Sequence, residues 1–166
     1  MSTPTYQLID SVTLGFSATS VSFTGIDQSY RDLVVVVTAK SSVDFRQAYM
    51  KLNNSSITYY NNFFGTGPGD KGASAGSDTA VRLGSSYNPV TISGTFSVVA
   101  NIMDYSQTNK NKQILTRAGT RDGASAGVDM AVTTWPSTAA VSSLYFTLNS
   151  GNYSGGSTFF LYGIAG

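Results

Sequence analysis

The chain has 166 residues, enough to bury a core without covalent staples, so we expect one domain spanning residues 1–166. Its formal net charge of +1, with 11% charged residues, provides no field that would gather nucleic acid or an anionic membrane surface. The lack of cysteine excludes disulfides, thiolate metal sites and thiol nucleophiles.

The predicted elements are all strands. The nine acidic residues are all Asp, and Ser, Thr, Gly, Val, Tyr and Phe outweigh the residues that favour helices. Short apolar or alternating runs between turn residues predict an all-β sandwich or barrel of about nine or ten strands, with little or no helix. In chain order the runs cover residues 6–16, 19–26, 32–39, 47–53, 56–61, 94–105, 111–118, 130–135, 142–149 and 157–164.

Four of these runs also predict their own burial. Residues 47–53 alternate the apolar Ala48, Met50 and Leu52 against Tyr49 and Lys51, which is typical of a strand with one wet face. Residues 33–37 are apolar on both faces, which is typical of a central strand covered on both sides. Leu144, Phe146 and Leu148 share one face of their run, so that face is expected in the core. The last run, residues 157–164, is again apolar on both faces and is expected to be central.

One ten-residue stretch occurs twice. "GASAGSDTAV" at residues 72–81 and "GASAGVDMAV" at residues 123–132 share eight of ten positions at an offset of fifty-one. The similarity fades outside these windows, which favours two similar excursions from one sandwich over a duplicated domain. We predict two small-residue loops that enter strands at Asp78 and Asp129 and contact a neighbouring subunit. The candidate contact residues are Gly72, Ala73, Ser74, Ala75, Gly76 and Asp78 in the first copy, and Gly123, Ala124, Ser125, Ala126, Gly127 and Asp129 in the second.

Catalytic residue types are scarce. The chain has no His, Cys or Glu, and no lysine stands in an apolar stretch that would depress its pKa. A Ser–Lys dyad or a pair of carboxylates stays formally open, and Asp78 with Asp129 is the pair that the repeat singles out. The stronger expectation is that these aspartates cap turns, so we predict no enzyme and no catalytic residue.

Metal and cofactor sites are not expected either. Asp70, Asp78, Asp122 and Asp129 lie near glycines, as in calcium-binding β-roll repeats, but that architecture needs consecutive copies. "GPGDKGAS" lacks the spacing of a phosphate-binding loop, and no predicted helix follows it. We therefore predict no metal and no cofactor.

Aromatic residues in turns leave one alternative open. Tyr beside Asn and Ser, as in "TYYNNFF", "SSYNP" and "GNYSGG", suits contact with sugars or proteins, although packing across strands is the more ordinary role. The first residues lack a basic and apolar leader, and no apolar run approaches a membrane span. We expect a soluble chain made in the cytoplasm, with no membrane and no nucleic-acid partner.

Three stretches carry a resemblance to a known group. "YQLIDSVTLGFSATSVSFTGIDQSYRDLVVVV", "MKLNNSS" and the terminal "STFFLYGIAG" resemble tailed-phage virion proteins of the kind seen in marine and cyanobacterial phages. The resemblance implies a jelly-roll-like β-sandwich that serves as a capsid decoration (cement) protein or as a tail-fibre module. It carries no catalytic motif over to this chain.

The resemblance and the residue pattern together predict a role. The chain begins and ends close to predicted strands and shows no coiled coil, which favours a decoration protein over a tail fibre. We expect a homotrimer that binds the major capsid protein on the outer surface of the capsid. The alternative is a carbohydrate- or receptor-binding module of a tail fibre or tail tip, with a surface glycan as its partner.

Overall fold

All the regular secondary structure in the described part of the chain is β-strand. The structure, a computed structural model, describes residues 5–66, 73–84, 89–122 and 125–166. Each of the ten predicted runs overlaps one strand, and two further strands occur between residues 73 and 82. The strands are β1 (Tyr6–Thr13), β2 (Ser20–Thr24), β3 (Asp32–Ala39), β4 (Ala48–Leu52), β5 (Tyr59–Thr66), β6 (Ala73–Asp78), β7 (Val81–Arg82), β8 (Thr95–Met103), β9 (Lys112–Asp122), β10 (Ser125–Trp135), β11 (Ser143–Leu148) and β12 (Thr158–Ile164).

Eight of the strands form a jelly roll. The order β1-β12-β3-β8 makes one sheet and the order β2-β11-β4-β7 makes the other. The chain crosses from sheet to sheet between β1 and β2, β2 and β3, β3 and β4, and again between β7 and β8. Such alternation, with every pairing antiparallel, is the double-sheet jelly roll, so the predicted fold class is confirmed.

The other four strands widen one sheet. β5–β6 is inserted between β4 and β7, and β9–β10 is inserted between β8 and β11. Together they extend the first sheet to eight strands in the order β1-β12-β3-β8-β9-β10-β5-β6. The two excursions expected from the repeated stretch are therefore two hairpins that pair with each other through β10 and β5.

The core lies between the two sheets. Leu144, Phe146 and Leu148 point into it as predicted, and Phe146 packs at 5.4 Å from Phe159 of the opposite sheet, measured between ring centroids. Tyr153 closes one end with its ring edge-on to Phe159 at 5.1 Å. The contact between Phe146 and Phe159 joins one sheet to the other, so these rings help to hold the two sheets in one arrangement.

β3 departs from its prediction on one face. Leu33, Val35 and Val37 are buried between the sheets, and Val34 is buried on the outward side. Val36, also outward, stays half-exposed. The outward side of β3 belongs to the outer surface of the eight-stranded sheet, where Val34 is covered as predicted and Val36 forms part of the surface.

The turn after β4 fixes the position of β11. Asn53 and Asn54 adopt φ values of 53° and 50°, a left-handed conformation that asparagine tolerates well. The Asn53 Oδ1 atom accepts hydrogen bonds from the backbone N–H groups of Ser142 at 2.8 Å and Ser143 at 3.2 Å. This one side chain therefore ties the end of β4 to the start of β11.

Candidate functional site

The predicted contact residues that the structure describes lie in strands, so for them the prediction of loops was wrong. Residues 73–78 make up β6, at the edge of the eight-stranded sheet, and residues 125–129 begin β10, between β9 and β5. Gly72, Gly123 and Ala124 lie outside the described residues. The Gly, Ala and Ser residues of the repeat do not alternate between apolar and polar, so their sequence does not indicate a strand. Hydrogen bonds to the neighbouring strand determine their conformation instead.

The two copies of the repeat flank the same strand but at different heights. Asp78 lies opposite Tyr59 of β5, whereas Asp129 lies opposite Gly65. Those two positions of β5 are six residues apart, which corresponds to about 20 Å along a strand. A carboxylate pair that cleaves glycosides needs a separation of about 5–9.5 Å.

Each aspartate of the repeat has its own surroundings. Asp78 is half-buried, pairs with the Arg82 Nε atom at 3.0 Å and accepts a hydrogen bond from the backbone of Thr79 at 2.7 Å. Asp129 is buried within the sheet. No group of three or more acidic residues that would hold a metal ion occurs in the described part of the chain. Asp78 thus acts as a local cap and ion-pair partner, in line with the turn-forming role expected for it.

Lys112 corrects the expectation about lysines. It is fully buried at the start of β9, and burial lowers the pKa of its ammonium. The Nζ atom donates to the backbone carbonyls of Gln107 at 2.5 Å, Lys110 at 3.0 Å and Thr138 at 3.3 Å. Three carbonyl acceptors use all three N–H donors of the ammonium. This lysine therefore connects the loop between β8 and β9 to the loop between β10 and β11, and it has no donor left for a substrate.

The outer surface of the inserted hairpins is apolar. Residues opposite each other in the antiparallel registers share a face, which places Met130 opposite Phe64 on the side away from the core. On the same side the side chains of Val128 and Tyr60 are 62% and 55% exposed. We call this surface the outer apolar face. It consists of Tyr60, Phe64, Val128, Met130 and Val132.

Cations border the outer apolar face. In β9, Arg117 and Arg121 point to the same side as Met130, and both are exposed. Arg117 donates to the Asn101 side chain at 3.1 Å, and no carboxylate stands among the outward residues that the structure describes in β5, β9 and β10. The face is therefore apolar with positive charge on one side.

A small groove lies on the opposite side of the sandwich. It has a volume of about 180 Å³ and runs between the outer surface of β4 and β11 and the connection from β6 to β7. Tyr49, Lys51 and Thr147 contribute from the sheet, and Asp78 and Thr79 contribute from the connection. We call this the Tyr49–Lys51 groove.

Sequence reasoning found neither surface as a site. The alternation of β4 correctly assigned Tyr49 and Lys51 to the wet face, but nothing in the sequence placed them beside Asp78. In β10 the one available signal was that Val128, Met130 and Val132 are apolar at every second position. The alternate positions 129, 131 and 133 proved to be the ones that face inward.

Comparisons with known proteins are weak. No family model and no curated protein matches the sequence. Among solved structures, a galectin from Caenorhabditis elegans is 12% identical with a TM-score of 0.27, covering 100% of this chain and 99% of its own. An alginate lyase variant in complex with an alginate trisaccharide is 11% identical with a TM-score of 0.31, covering 93% and 80%. The marine alginate lyase from Aplysia kurodai is 11% identical with a TM-score of 0.21, covering 78% and 70%. At these scores the likenesses carry no argument about this chain.

Proposed function

We propose that this chain is a non-enzymatic structural protein of a tailed-phage virion. In this role it binds the outer surface of the capsid as a decoration protein, after synthesis in the host cytoplasm, and stabilises the lattice of the major capsid protein. The observation that supports the proposal most is the outer apolar face, on the sheet that two inserted hairpins widen. Exposed apolar patches of this kind mark contact surfaces.

The partner of the outer apolar face is a capsid subunit with a complementary surface. Because charges across an interface are complementary, Arg117 and Arg121 predict carboxylates beside an apolar patch on that subunit. A two-fold contact between copies of this chain through the same face would set one arginine-bearing surface against another. The charge pattern therefore favours a different protein over a second copy on this face.

The strength of one such contact is limited. Fully burying a large apolar side chain gains about 1.5–3 kcal/mol, so covering five that are about half exposed gains roughly 4–7 kcal/mol. Association of two proteins costs about 4–15 kcal/mol in lost translational and rotational freedom. One copy on its own would bind the capsid weakly. In a trimer, once the first copy has bound, the second and third copies bind intramolecularly, which raises the overall affinity. The weakness of a single contact therefore favours a homotrimer.

The edge strand β6 supplies the contact between copies. It pairs with β5 on one side only, and the small residues of the repeat let another backbone approach its free edge. Gly76 tests this because a Cβ added there meets nothing within 4 Å. Gly76→Lys is expected to fold normally and to shift the mass measured by light scattering from trimer to monomer. Gly15→Lys, equally unhindered, is the control and should stay trimeric.

Stabilisation of the lattice follows from binding linkage. A protein that binds only the assembled capsid raises its stability with occupancy, by about 2.7 kcal/mol per site at a hundred times the dissociation constant. Virions that lack this chain are therefore expected to release their genome at a lower temperature. Adding the purified protein back should restore the original release temperature.

Met130→Lys tests the outer apolar face. The side chain is 48% exposed, so the variant should fold normally. In a capsid interface the new ammonium would be buried without a partner, which costs about 2 kcal/mol or more, a loss of at least ~30-fold in affinity. Phe16→Lys is the matched control, since Phe16 is 89% exposed and lies between β1 and β2. Equal co-sedimentation of Met130→Lys and the unaltered protein with undecorated capsids would rule out this face.

A second candidate is a carbohydrate-binding module of a tail fibre or tail tip. The Tyr49–Lys51 groove favours it, because an aromatic ring and several hydrogen-bonding groups line one depression. Binding to a saccharide without affinity for capsids would select this candidate over the decoration protein.

A further inference from the structure

The walls of the Tyr49–Lys51 groove come from separate parts of the fold. Thr147 of β11 lies opposite Tyr49 of β4, and Arg82 of β7 lies opposite Tyr49 on its other side. These three side chains form one row on the outer surface of the four-stranded sheet. Asp78 reaches the row from the end of β6 through its ion pair with Arg82.

The charges in the groove do not balance. Asp78 and Arg82 neutralise each other at 3.0 Å. Lys51 lines the groove as well, and within the described residues its side-chain ammonium has no ion pair or hydrogen bond. The groove therefore keeps one uncompensated positive charge, which favours an anionic group in the ligand.

The aromatic wall is held in place. The Tyr49 hydroxyl donates to the Gln47 side chain at 2.7 Å, and burial raises its pKa, with the Asp78 carboxylate adding to the rise. The hydroxyl is therefore neutral and engaged, which leaves the ring as a fixed apolar surface. Tyr145, opposite Lys51 in the neighbouring strand, adds a second aromatic side chain on the same surface.

The size of the groove limits the ligand. Its volume of about 180 Å³ is below the roughly 300–1,000 Å³ of sites for drug-sized molecules. One sugar ring suits this space, with further rings lying along the sheet toward Tyr145. An apolar ring face for stacking, hydroxyl and carboxylate groups for hydrogen bonds, and a free ammonium for a negative charge are all present together.

We propose that the Tyr49–Lys51 groove binds an acidic saccharide, one whose sugar unit carries a carboxylate. The carboxylate pairs with Lys51, the ring stacks on Tyr49, and the hydroxyls meet Asp78 and Thr147. This proposal rests on the second candidate function and names its ligand class. It is independent of the outer apolar face, which lies on the other sheet, so a decoration protein with this groove would expose it on the outside of the particle.

Calorimetric titration with two trisaccharides tests the proposal. One is built of uronic acid units, and the other is the neutral trisaccharide made by reducing its carboxyl groups. The acidic trisaccharide is expected to bind at least about tenfold more tightly, and the difference should shrink as salt is added. Equal binding of both would overturn the acidic specificity but leave carbohydrate binding intact. Binding of neither would dismiss the carbohydrate function itself.

Lys51→Met locates the site. The substitution keeps most of the aliphatic stem, so the melting temperature should stay close to that of the unaltered protein. The acidic trisaccharide should then bind about tenfold more weakly, while the neutral one is unaffected. Lys40→Met removes the same charge from an exposed lysine outside the groove and should change neither affinity. An unaltered affinity of Lys51→Met for the acidic trisaccharide would refute the assignment of this groove.

Discussion

Gly163→Ala is expected to destabilise the protein when Tyr30 is present and to stabilise it when Tyr30 is replaced by alanine. Gly163 lies in β12, and the ring of Tyr30 covers it. A Cβ built on Gly163 would overlap the Cγ and both Cδ atoms of that ring. Each of these separations is well below 3.0 Å, the shortest distance at which Cβ atoms are normally found from other heavy atoms. Tyr30 is half-buried and packs against the core, and the overlap includes its Cγ atom, so the ring can clear a methyl group only by losing part of that packing.

The size of the effect follows from this overlap. Forcing one extra carbon into a packed site costs about 1–3 kcal/mol. For a protein of this size each kcal/mol lowers the melting temperature by about 2–4 °C, so Gly163→Ala should melt roughly 2–12 °C lower. With Tyr30→Ala the overlap disappears, and alanine in a strand then gains about 0.5–1 kcal/mol over glycine.

Four proteins measured by urea denaturation and by heating complete the test. They are the unaltered chain, Gly163→Ala, Tyr30→Ala and the double variant. The double variant should be more stable than Tyr30→Ala alone, although Gly163→Ala alone is less stable than the unaltered chain. If alanine at 163 lowers stability equally in both backgrounds, the contact with Tyr30 is not the cause and the reasoning fails.

Two further predictions concern buried titratable groups. Burial raises the pKa of Tyr59 from 10.0 to about 12. The folded protein then holds this proton more firmly than the unfolded chain, so stability is unchanged below pH 10 and falls by about 2–3 kcal/mol between pH 10 and 12. Urea midpoints from pH 8 to 12 should show that Tyr59→Phe has a shallower alkaline decline, and an equal slope would contradict the shift. Lys112→Met removes the donors to three carbonyls and should cost about 1–3 kcal/mol in urea denaturation, whereas Lys110→Met, at an exposed ion pair, should cost less than about 1 kcal/mol.

Much of the fold was accessible from the sequence. Alternation with a period of two assigned the buried faces of β4 and β11, because a sheet with one face on a core leaves that pattern in its side chains. Turn residues separated the runs, and the absence of a helical pattern excluded helices. These are properties of a strand and its own two faces, and ten strands were found in this way.

The candidate surfaces depended on contacts between distant strands. β6 is a strand because β5 offers it hydrogen bonds, and its residues Gly76 and Ser77 stay exposed at the sheet edge without any apolar pattern. The Tyr49–Lys51 groove exists because the connection from β6 to β7 brings Asp78 over β4, which no local sequence pattern records.

The repeated stretch separates what the sequence predicts from what the pairing of distant strands determines. From the sequence alone its two copies predicted two similar excursions of small residues, and each copy supplies the second strand of a hairpin, β6 in β5–β6 and β10 in β9–β10. Tertiary pairing then decided that one copy forms a sheet edge and the other lies between two strands. The physical reason is that small side chains bury too little surface to choose a partner, so backbone hydrogen bonding with β5, at heights six residues apart, makes the choice.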